Sequence, residues 1–213
     1  MAPSLPADIH APKQARSLES MRRLIDAARQ ILNEDGLEAA TIPRIAERAG
    51  LSVGSVYRRF PDKDALLREI CLQHFLDKQE FLSKLAQEIP PEATLSEIIP
   101  SMAQGMMHSF TENAGLMRAS IYYFHEQAAP KVRQKIDRAI RRMGEITSGI
   151  LLSRRRQINH PDPELAAPLA ITMMSSTIRE IALYPNQRMT SAEYNQVASE
   201  LAQAACRYLG VSK

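Results

Sequence analysis

The chain has 213 residues, a formal net charge of +3 and 45 % hydrophobic residues, enough apolar material to bury a core without staples and too much for wholesale disorder. It has no run of eighteen uncharged apolar residues, which reads against a membrane-spanning helix, and residues 1–16 carry Pro3, Pro6 and Pro12 with no apolar stretch, which reads against a secretory signal. Cys71 and Cys206 offer neither a disulfide framework nor metal-ligand spacing, so a reducing, cytoplasmic setting is expected, with no metal and no cofactor.

Glycines number only eight, and nowhere do Val, Ile and Thr alternate with polar residues, so the chain reads as all-helical. Residues 1–16 are expected to form a flexible arm, with Lys13 and Arg16 as cations such an arm could place in a minor groove. A helix over 17–35 follows from Leu18, Met21, Leu24, Ile25, Ala28, Ile31 and Leu32 at three- and four-residue steps, with Gly36 as its stop. A short helix over 41–49 has Thr41 as N-cap and Pro43 in its first turn, and ends at Gly50. Ser52 caps another over 53–60, which Pro61 and Asp62 close.

A fourth helix spans 63–85, with Leu66, Leu67, Ile70, Phe75 and Leu82 on its inner side. After Pro90 and Pro91, the pair Thr94 and Glu97 spells a capping box for a helix to 110, which Pro100 should kink. Helices over 116–126 and 130–157 follow. Asp162 and Pro163 open one to 184, and Thr190 or Ser191 opens the last, to 209, before Gly210.

The stretch from Thr41 to Lys63, TIPRIAERAGLSVGSVYRRFPDK, is the informative one. Two short helices separated by Gly50, Leu51 and Ser52 are the signature of a helix-turn-helix, whose second helix enters the major groove N-terminus first. The leading turn of that helix is small: Ser52, Val53, Gly54, Ser55. Five basic residues (Arg44, Arg48, Arg58, Arg59, Lys63) stand against two acids over the stretch.

Gly36, Thr41, Ile45-Ala46, Ala49-Gly50-Leu51-Ser52, Gly54-Ser55-Val56-Tyr57, Phe60 and Lys63 together closely resemble the TetR family of bacterial transcription regulators. The resemblance covers about a quarter of the chain. It implies a three-helix DNA-binding domain over 17–62 and a larger helical domain for ligand sensing and dimerisation over 63–213. It also implies that Thr41, Tyr57 and Lys63 take phosphates and that Arg44 reaches the backbone or a base edge. Ser52, Val53, Gly54 and Ser55 would face the groove, and Arg58 the DNA. Pro43 stands where some members carry a polar DNA contact, so that contact is lost here.

A homodimer reading a palindromic operator in double-stranded DNA is then expected, acting as a repressor rather than an enzyme. Candidate interface residues on the last two helices are Met174, Ile178, Ile181, Val197, Leu201, Ala205 and Tyr208. Ten methionines are many for this length, and methionine suits a pliable cavity. Met102, Met106, Phe110, Met117, Ile121, Phe124 and Met173 are therefore the candidate pocket for an unidentified small apolar or aromatic effector, with Arg118, His125 and Arg179 as candidates for its polar end. The alternative is a DNA-bound adaptor that answers to a protein partner instead.

Overall fold

The computed structural model describes residues 13–123, 130–184 and 189–211. Among these, all regular structure is helical: α1 (Lys13–Glu34), α2 (Gly36–Ala39), α3 (Ile42–Arg48), α4 (Val53–Tyr57), α5 (Lys63–Glu88), α6 (Leu95–Glu112), α7 (Ala114–Tyr122), α8 (Pro130–Leu152), a 3-10 turn (Arg155–Gln157), α9 (Pro163–Leu183) and α10 (Ser191–Leu209). No helix among them is long and apolar enough to cross a membrane. The chain forms two compact units, which divide between Ile70 and Cys71, inside α5.

The first unit is built on α1. Leu24, Ala28, Ile31 and Leu32 recur at helical spacing and are fully buried, or nearly so, together with Ile45, Ala46, Val56, Leu66 and Leu67. Each large side chain so buried contributes about 1.5–3 kcal/mol. The helix begins four residues before the predicted 17, because the last prolyl residue is Pro12 and nothing in Lys13–Arg16 opposes helical geometry. Those four residues are thus the first turn of α1, not arm. Gly36 and Gly50 adopt left-handed backbone (φ +82° and +64°), which lets α1 and α3 end in tight turns.

In the second unit, α6, α9 and α10 pack on one another and α8 packs on α9. The larger core holds Leu95, Ile99, Met174, Ile178 and Leu209, with alanines on α9 and α10 allowing close approach. A smaller cluster gathers Leu72, Phe75, Met117, Ile136 and Leu183. The helix predicted over 130–157 stops at Leu152. Arg154 turns back there, its Nη2 donating to the Pro90 carbonyl at 2.7 Å and its Nε to that of Ala93 at 3.0 Å. Just beyond, Gln157 Oε1 accepts from the Leu95 N–H at 2.8 Å and caps α6 from sixty residues away. Capping boxes form at Thr94/Glu97 and Thr190/Glu193, and Asp162 caps α9.

Candidate nucleic-acid interface

α3, the turn at Gly50 and α4 form the helix-turn-helix. Leu51 N–H closes onto the Ala46 carbonyl at 2.9 Å, α3 packs on α1 and α4 on α3, and Ile42, Ile45, Ala46, Ala49 and Val56 are buried. The opposite surface is open. Ser52, Gly54 and Arg58 are exposed, as are Val53 at 37 % and Tyr57 at 51 %. Phe60 is core, 8 % exposed.

Ser52 caps α4 as expected: its Oγ accepts from Ser55 N–H at 3.2 Å. Ser55 is half-buried and its hydroxyl donates to the Ser52 carbonyl at 2.7 Å, so its proton is already committed. Thr41 occupies the N-cap of α3 by backbone, but its side chain makes no capping bond. Pro43, the second helical residue, has no N–H to give the hydroxyl, and the N–H of Arg44, the third, makes no bond to it either. Thr41 Oγ1 thus stays available at an exposed position.

Gly54 is helical with ordinary φ, and a Cβ built on it meets nothing within 4 Å. Packing among the described residues therefore does not require a glycine there.

The basic residues divide by partner. Arg44 pairs with Asp35 and Arg48 with Glu34, each at 2.6 Å, binding α3 to the end of α1. Arg59 donates to Ser17 Oγ at 2.8 Å. Lys63 Nζ donates to the Leu37 carbonyl at 2.8 Å, from a part-buried position. Arg58 is left exposed and without a partner among the described residues. Arg44 and Lys63, expected to face DNA, are thus engaged inside the unit. The exposed Arg44–Asp35 pair is worth about 1 kcal/mol at most, a cost that phosphate binding could offset. The acidic partners Glu34 and Asp35 escaped sequence reasoning because they close the preceding helix and lie nine or more residues away.

In the second unit the candidate interface residues separate. Met174, Ile178 and Ala205 are at most 2 % exposed, inside the chain's own core, and so face no second copy. Ile181, Val197, Leu201 and Tyr208 are half-buried. The outer face of α9 instead carries Leu165, Leu169 and Met173 at four-residue spacing, 60 %, 40 % and 41 % exposed.

The pocket candidates separate too. Met102 and Met106 pack on the larger core, Met117 and Ile121 belong to the smaller one, and Phe110 touches both. Met173 is exposed, and Phe124 and His125 lie outside the described residues. An open cleft of about 370 Å³ between α5 and α8, edged by Ser83, Gln87, Arg142 and Glu145, is lined by none of them. Sequence reasoning passed over Lys78, although it lies between Phe75 and Leu82 on the inner stripe of α5. A lysine in an apolar stripe was the available signal.

Residues 24–70 match the family model for bacterial regulatory proteins, tetR family. The fatty acid metabolism regulator protein of Bacillus subtilis is 28 % identical over 132 residues, which are 61 % of this chain and 64 % of that one. The chain spans less than two thirds of the length of the curated relatives it matches. A crystal structure of a TetR-family regulator from Mesorhizobium loti superposes with a TM-score of 0.71 at 23 % identity, over 90 % of this chain and 97 % of that one. That of FadR from Bacillus subtilis in complex with stearoyl-CoA gives 0.62 at 18 %, over 86 % and 96 %. These superpositions extend the shared fold through the second unit. Residues 24–70 thus carry the tetR-family match on a folded helix-turn-helix, and the chain as a whole shares the fold of these solved structures.

Proposed function

We propose that this protein is a homodimeric, sequence-specific transcriptional repressor, released from a palindromic operator by a small apolar effector. The observation that carries the DNA-binding part is the bare face of α4: Ser52, Val53, Gly54, Tyr57 and Arg58 are uncovered, and no packing among the described residues requires the glycine. A side chain missing for no internal reason leaves room for an external surface to come close. Val53 suits a thymine methyl, and Tyr57, Arg58 and Thr41 suit phosphates.

One such head reads too few base pairs, and two heads would read half-sites about 34–36 Å apart. The exposed apolar face of α9, with the half-buried residues of α10, supports pairing of two copies. The relative named for fatty acid metabolism and the FadR structure holding stearoyl-CoA support an effector with an apolar chain. α5 runs from one unit into the other, and in this reading it carries the effector's signal to the reading head. The effector must then bind the DNA-free form more tightly by the factor it weakens DNA binding, about 1–3 kcal/mol of coupling.

Selection of bound DNA from a random pool tests the reading. A palindromic motif with half-sites one helical turn apart is the expected result, and Gly54→Leu should lose it while staying folded. Salt-sensitive binding with no motif would overturn sequence-specific regulation.

A further inference from the structure

The part of α5 in the second unit turns polar side chains inward. Cys71 and His74 are buried, and Lys78 lies one turn beyond His74 on the same face. Lys78 Nζ donates to Ser109 Oγ at 2.8 Å and stands 4.6 Å from the centre of the Phe110 ring. Phe110 packs on both apolar clusters, so the ammonium stands where the two cores meet. A lysine that merely lent its methylenes to packing would send its charge out to water. This one turns its charge onto α6.

The surroundings leave that charge short of a counter-charge. An ammonium has three donors and takes one hydroxyl here, and a ring face supplies only partial charge. No carboxylate pairs with it among the described residues. Burial accordingly pushes Lys78 down from 10.5 to about 8.

We propose that the effector is an amphipathic monocarboxylic acid, its carboxylate paired with Lys78 beside Ser109 and its apolar body lying against Phe110, Met117 and Ile121. This rests on the reading that the second unit binds a small effector. One ammonium balances one negative charge, which favours a carboxylate over a phosphate dianion. The charge-assisted bonds complete the donors that Ser109 leaves open. The smaller cluster supplies the apolar wall.

The test is calorimetric titration of the full chain, without DNA, with octanoate, dodecanoate and 4-phenylbutyrate. Each is compared with the alcohol of the same carbon skeleton, below its critical micelle concentration. At least one acid should bind ten-fold or more tightly than its alcohol. Lys78→Met, its folding checked by circular dichroism, should lose that preference, and Ser109→Ala should lose a few-fold of it. Equal binding of acid and alcohol would overturn the inference, as would an acid preference that survives in Lys78→Met or no binding by any of the six compounds. If the alcohols bind as well as the acids, the effector reading stands while the Lys78 assignment falls. The DNA-binding reading fails only on the selection experiment.

Discussion

Replacing Lys78 by methionine should stabilise the protein at neutral pH and change how its stability responds to alkali. The fall from 10.5 to about 8 corresponds to about 3 kcal/mol at about 1.4 kcal/mol per pH unit. That is the cost of keeping this ammonium charged in the folded chain below pH 8. Methionine keeps the stem's bulk without the charge and forfeits the Ser109 bond, worth about 1.5–3 kcal/mol for a charged donor. The net gain at pH 7 is therefore about 1 kcal/mol.

The pH dependence follows from proton counting. Between pH 8 and 10.5 the unfolded chain holds a proton that folded Lys78 has lost, so stability rises with pH across that window. Cys71 acts in the opposite sense. Burial pushes its thiol from 9.0 to about 11, against a smaller pull from a hydrogen bond with Ser120. Between pH 9 and 11 the folded chain holds a proton the unfolded chain has lost, so stability falls. The wild-type curve should climb from pH 8 to 9, level while the two slopes oppose, then drop toward 11. Urea unfolding followed by circular dichroism at pH 7, 8, 9 and 10 measures this. The gap between Lys78→Met and wild type should be widest at pH 7 and shrink steadily above pH 8. Parallel curves, or a variant less stable at pH 7, would refute the account of a charge held without a counter-charge.

Gly210→Ala should cost about 2–3 kcal/mol in urea unfolding, because φ is +66° and the new Cβ would stand 2.9 Å from that of Asn159. Gly36→Ala, at φ +82° with nothing within 4 Å, should cost only about 1 kcal/mol; equal costs would show that the contact with Asn159 relaxes freely. Arg58→Ala should leave stability within about 0.5 kcal/mol and lower the slope of log affinity against log salt by about one, measured by fluorescence anisotropy; an unchanged slope removes Arg58 from the phosphate contacts. Lys63→Met should destabilise by about 1.5–3 kcal/mol through the lost bond to the Leu37 carbonyl, so full stability in this variant would deny that anchor. A thiol reagent at pH 8 should titrate Cys206 alone in the folded protein and both cysteines in denaturant, since Cys71 is 1 % exposed and its thiol is held up by burial.

Helix placement was legible wherever local chemistry decides it. Apolar spacing located α1, α5 and α8. Thr94, Asp162 and Thr190 marked helix starts through bonds that span three residues. Gly50 and Gly210 marked stops through backbone freedom. The DNA-binding motif was legible for the same reason: the helix-turn-helix is short, and its small leading residues, turn glycine and aromatic positions lie within 23 consecutive residues.

Tertiary structure alone decided which face of a helix meets which neighbour. Met174 and Ile178 on α9, and Ala205 with Val197 and Leu201 on α10, repeat at helical spacing as an interface stripe would, yet Met174, Ile178 and Ala205 fill the chain's own core, while Leu165, Leu169 and Met173 stay outside. Periodicity identifies an apolar face without naming its partner, and α9 has apolar residues on more than one. The engagement of Arg44 by Asp35 and of Lys63 by the Leu37 carbonyl likewise depends on where α1 and α2 end in space. A charge in sequence carries no record of its counter-charge. Lys78 is the strongest case: what distinguishes it from the other lysines is a hydroxyl and a ring 31 and 32 positions further along the chain.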